Sequence, residues 1–199
     1  MERKTTEIRH KAVWGARFGA FAMVSMLVGA SSCSEMVRTG DASSFLVINT
    51  LSGGPQNDTT VESDVQGDTG TVFTDVGQAV LQLQMRDVGG PGPSPNNAIT
   101  LTQYRVEYIR SDGRNTPGVD VPFPFSSGLT ATVSGTQTVG FTLVRVQAKE
   151  EAPLRALRGG GGASVISTVA RITFFGHDQT GREVSVTGNL DVTFADWAG

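Results

Sequence analysis

The sequence is short of the side chains on which most protein chemistry depends. It holds one cysteine, Cys33, and two histidines, His10 and His177. A lone cysteine makes no internal disulfide, and no Cys/His spacing suits zinc, so any fold must hold by packing and hydrogen bonds. No G-x-S-x-G elbow accompanies either histidine, and the glycine run at 159–162 lacks the lysine of a phosphate loop. No apolar run reaches the roughly 20 residues a helix needs to cross a bilayer. Beyond Cys33 there are 11 basic against 17 acidic residues, so that part of the chain has no footprint for a nucleic-acid backbone. The expectation is a non-enzymatic protein with no catalytic residues and no cofactor.

What is present begins at the N-terminus. Arg3, Lys4, Arg9, Lys11 and Arg17 precede an apolar stretch at 18–30, which is followed by Ser31, Ser32 and Cys33. A positive segment, a short apolar run and then small residues make the order of an export signal. Ser31, Ser32 and Cys33, with Ala30 before them, resemble the lipobox of bacterial lipoproteins, although that family usually has leucine at the place of Ala30. The resemblance implies that residues 1–32 are removed and that Cys33 becomes an acylated N-terminus. It also implies a membrane anchor, and Ser34, not being Asp, implies the outer membrane or cell surface over the inner membrane. Ala30 and Ser32 suit an ordinary cleavage site too. The two readings cut the same bond and differ in whether the sulfur carries lipid.

Residues 33–44 read as a flexible lead and 45–199 as the domain. Strand patterns cover 45–51, 79–88, 99–110, 119–125, 130–135, 137–148, 164–175 and 182–194. In the second of these, Ala79, Leu81, Leu83 and Met85 share a face. In the third, the apolar phase slips between Leu101 and Tyr104, which predicts a β-bulge. Residues 119–125 read as an edge strand, with Pro122 and Pro124 deleting donors on one side and Val121, Phe123 and Phe125 facing the core. Residues 150–162 read as a turn or two of helix and a glycine link. Val184, Val186, Leu190, Val192 and Phe194 keep one parity in the last strand, which closes a hairpin with 164–175.

Short strands, frequent turns and no long helical period predict an all-β fold, a single antiparallel β-sandwich. The closing hairpin also resembles that of immunoglobulin-like or fibronectin type III-like modules. Between strands, the acidic segment 52–70 reads as a long loop. Asp58, Glu62, Asp64 and Asp68 in it are candidate calcium ligands, although they lack EF-hand spacing and acidic loops are ordinarily solvated. His177 reads as a solvated turn residue beside Asp178. The functional expectation is a structural or protein-interaction module of the cell envelope, tethered through Cys33 and meeting a protein partner. The alternative is a ligand-binding module, perhaps for carbohydrate, with Trp197, Tyr104 and Tyr108 as the only aromatic platforms. For all three, core or edge packing is the favoured use.

Overall fold

The computed structural model describes residues 42–54 and 58–197, so residues 1–32, expected to be a signal segment, Cys33 and most of the expected lead lie outside the described residues. Eight strands are formed: β1 (Ser44–Gly53), β2 (Thr60–Asp64), β3 (Asp75–Met85), β4 (Ile99–Ile109), β5 (Phe125–Val133), β6 (Thr136–Val144), β7 (Ile166–Asp178) and β8 (Glu183–Ala195). A short helix α1 (Val146–Glu150) and a 3-10 turn at Leu154–Leu157 join β6 to β7. The strands make two sheets, in the orders β1-β3-β6 and β2-β8-β7-β4-β5. Two sheets of mainly antiparallel strands make a β-sandwich, and the all-β expectation holds.

The alternation read from the sequence sets the inner faces. Ala79, Leu81 and Leu83 of β3 are buried, as are Leu190, Val192 and Phe194 of β8. Aromatic rings join the layers. Phe141 of the smaller sheet lies edge-on to Tyr104 (5.7 Å) and to Phe174 (5.6 Å) of the larger one. The two tyrosines also fasten the sheets by hydrogen bonds. Tyr108 Oη donates to the Leu143 carbonyl at 2.6 Å, and the Thr142 N–H donates to Tyr104 Oη at 3.0 Å. Burial pushes the Tyr108 phenol well above its usual range, and the nearby charge of Asp75 adds to the effect. Both tyrosines are thus core residues with satisfied hydroxyls, the favoured use in the sequence reading.

The phase slip in β4 is a bulge, since its register shifts between Leu101 and Gln103 against both β5 and β7. Other details differ from expectation. The segment 52–70 holds a strand: the chain leaves β1 at Gly53, passes the left-handed Gly54 (φ 60°) and adds β2 to the other sheet. Because it changes sheets while keeping direction, β2 runs parallel to β8, the single exception to antiparallel pairing between the named strands. Residues 119–124 form no strand. With two N–H groups removed by proline they have little ladder to join, and pairing starts at Phe125. Val121 is buried as expected, but Phe123 is half exposed and lies over Gly118. β6 ends at Val144, before the expected 148, where the chain turns into α1. The domain also begins earlier than 45, because Ala42 and Ser44 are buried and Arg86 binds the carbonyls of Ala42 and Ser43.

Candidate functional site

The sequence candidates do not converge. His177 is exposed at the end of β7 rather than in the turn, and its Nδ1 lies 3.0 Å from the Asp178 carbonyl oxygen. Glu62 and Asp64 sit on β2, and Asp64 Oδ1 accepts N–H bonds from Gln66 and Trp197. Asp58 bridges to Gly53, and Asp68 is in the turn beyond β2. Among the described residues, no three His, Cys, Asp or Glu side chains gather closely enough to hold a metal ion. Trp197 remains partly exposed, beside Gly162.

Two polar clusters were not visible in the sequence. In one, Lys149 is almost fully buried and its Nζ donates to Asp75 Oδ1 at 2.9 Å. The other oxygen of Asp75 accepts from the buried Ser63 hydroxyl at 2.5 Å. The carboxylate therefore ties β2, β3 and α1 together. Ser63 is wholly buried and points its proton at that carboxylate, an arrangement suited to fastening three segments. No pattern could have revealed it, because the partners lie 74 positions apart in the chain.

In the other cluster, Asp178 closes the β7–β8 turn. Its Oδ1 accepts from the N–H (2.8 Å) and hydroxyl (2.6 Å) of Thr180 and from the Arg182 N–H (3.0 Å). Burial pushes its acidity toward higher pH, but these hydrogen bonds outweigh burial and hold the carboxyl below its usual range.

The most distinctive surface is a flank. β5 and β6, the last strands of their respective sheets, lie side by side and are joined by only Ser134 and Gly135. From Val121 to Val144 there is no Asp, Glu, Lys, Arg or His, and neither strand contains proline. Ser126, Ser127, Thr130 and Thr132 of β5 are exposed, as are Thr136, Gln137 and Thr138 of β6. Such an edge presents unpaired backbone N–H and C=O groups, which proteins ordinarily guard with charge, proline, shortness or bulges. The opposite flank is guarded: β2 is five residues long and carries Glu62 and Asp64, and β1 shifts register at Asn49. On the open flank β5 bends once, at Leu129–Thr130, while β6 runs unbroken from Thr136 to Phe141 against β3. No protein-family model matches the chain, and no curated protein matches it either.

Proposed function

We propose that this chain is a non-catalytic cell-envelope lipoprotein: exported, cut before Cys33, held at the outer membrane or cell surface by acyl chains on that cysteine, and acting as a structural or protein-interaction module. The observation that carries the interaction role is the long uncharged flank formed by β5 and β6, which is suited to strand-to-strand contact. The tether rests on the order of the N-terminal segment, with its basic start, apolar run and unique cysteine. Each buried CH₂ of an acyl chain contributes about 0.8 kcal/mol, and stable anchoring needs more than one chain, as such lipoproteins carry. Between Cys33 and the docked Ala42 the lead spans at most about 30 Å, so the domain stays close to the membrane.

A ligand-binding role would now rest on Trp197, since Tyr104 and Tyr108 are in the core and only Trp197 of the three is exposed. Membrane fractionation tests the main proposal. Cys33→Ser should move the domain from the membrane to the soluble fraction with its thermal unfolding unchanged. Retention of that variant on membranes would remove the anchor from the account.

A further inference from the structure

We infer that the outer face of the larger sheet carries a saccharide site, built from Thr102 and Gln103 of β4, Phe175 and His177 of β7, and Glu183 and Ser185 of β8. These six side chains line a depression of about 580 Å³, within the roughly 300–1,000 Å³ of small-ligand sites. The site goes beyond the interaction role of the β5–β6 flank and needs neither that flank nor the tether. Phe175, a ring outside the three sequence candidates, gives ligand binding a better-furnished place than Trp197.

Strand pairing brings the six together. Gln103 is opposite Phe175 and Phe175 is opposite Ser185, so the three form one row across β4, β7 and β8. His177 and Glu183 are opposite each other two residues further along the same face. Partners in a row lie about 5 Å apart, and successive rows about 7 Å apart. The β4 bulge enlarges the set. Leu101 and Tyr104 are buried on either side of it, and Thr102 and Gln103 are both exposed where regular alternation would expose one.

The polar side chains of this depression are uncommitted. Thr102, Gln103, Glu183 and Ser185 make no side-chain hydrogen bond or ion pair with the described residues. Around them the same face is stitched together, Thr173 to Thr187 at 3.0 Å, Arg105 to Glu107 at 2.9 Å and Thr100 to Thr132 at 3.1 Å. His177 has one partner, the Asp178 carbonyl. A carbonyl only accepts, so Nδ1 carries the proton and the neutral ring presents Nε2 as a free acceptor. On the central strand of the three stands Phe175, an apolar ring 37% exposed among these polar groups.

Those groups select a ligand by what they require. The depression has no Lys or Arg and one carboxylate, Glu183, which disfavours phosphates and carboxylates. A wholly apolar ligand would desolvate five polar side chains without replacing their bonds to water. A metal ion would find only His177 and Glu183, and among the described residues no three metal-binding side chains gather. A neutral sugar satisfies the set. Its hydroxyls donate to Glu183 and to His177 Nε2, exchange hydrogen bonds with Thr102, Gln103 and Ser185, and leave one C–H face to lie on the Phe175 ring.

A glycan array probed with the full chain, extracted from membranes in a detergent without a sugar headgroup, tests the site. Neutral glycans should retain the protein and acidic ones should not. For the best-bound neutral oligosaccharide, calorimetry should show affinity lowered about tenfold or more by Phe175→Ala and by Glu183→Ala. Trp197→Ala, outside the depression, should bind as wild type does. Phe175 and Glu183 are both exposed, so the thermal midpoints of their variants should stay near that of wild type. Lost binding at an unchanged midpoint distinguishes a ligand site from a folding defect. An array on which no neutral glycan is bound would overturn the inference. So would binding that survives both substitutions, or that Trp197→Ala abolishes.

Discussion

Gly176 of β7 lies so close to Thr100 of β4 that a Cβ on the glycine would overlap the Thr100 carbonyl oxygen and crowd the Leu101 Cα. The bulge that follows in β4 has drawn the two backbones together, and only glycine fits opposite it. Gly176→Ala should therefore cost about 1–3 kcal/mol through a clash with main chain that cannot rotate away. Gly128→Ala, in open space, should be neutral or gain about 0.5–1 kcal/mol. Urea melts of the two variants check the pair. Equal effects would mean that the bulge does not set this contact.

The last strand tests the sandwich itself. Phe194 is fully buried, edge-on to Tyr108 at 5.6 Å, and Phe194→Ala should cost about 3–5 kcal/mol. Thr193, one residue away on the outer face, should tolerate alanine within about 0.5 kcal/mol. Denaturant midpoints at constant slope provide the comparison.

Asp75→Ala strands the buried Lys149 ammonium and should cost about 3–5 kcal/mol. Adding Lys149→Met to that variant removes the stranded charge and should recover much of the loss. A double variant no more stable than Asp75→Ala alone would show that the lysine is not held by this carboxylate.

Asp178 makes the hairpin sensitive to acid. Its native acidity is stronger than that of the unfolded chain, so the folded state binds fewer protons. That contribution to stability is complete above the unfolded value of about 4 and is lost as pH falls through the lower native value. Stability should therefore decline below about pH 4, and Asp178→Asn should flatten part of that decline. Thermal midpoints from pH 2 to 7, read for both proteins, measure it.

The legible parts of the fold were those written locally. β7 and β8 showed because alternation ran long on both sides of a short turn, and the β4 bulge showed as a slip in apolar phase. β2 was hidden because its five residues are mostly polar and its place depends on β8, more than a hundred residues on. At Phe123 the parity reading failed because Pro122 and Pro124 removed the ladder that parity assumes. The open flank was only half legible. Its lack of charge is plain in the sequence, but that both strands end their sheets on one side is a fact of topology.

Intact mass of the protein extracted from membranes tests the central claim most directly. The account predicts a chain that begins at Cys33 and exceeds its peptide mass by the added lipid. An unmodified thiol, or a first residue other than Cys33, would contradict it.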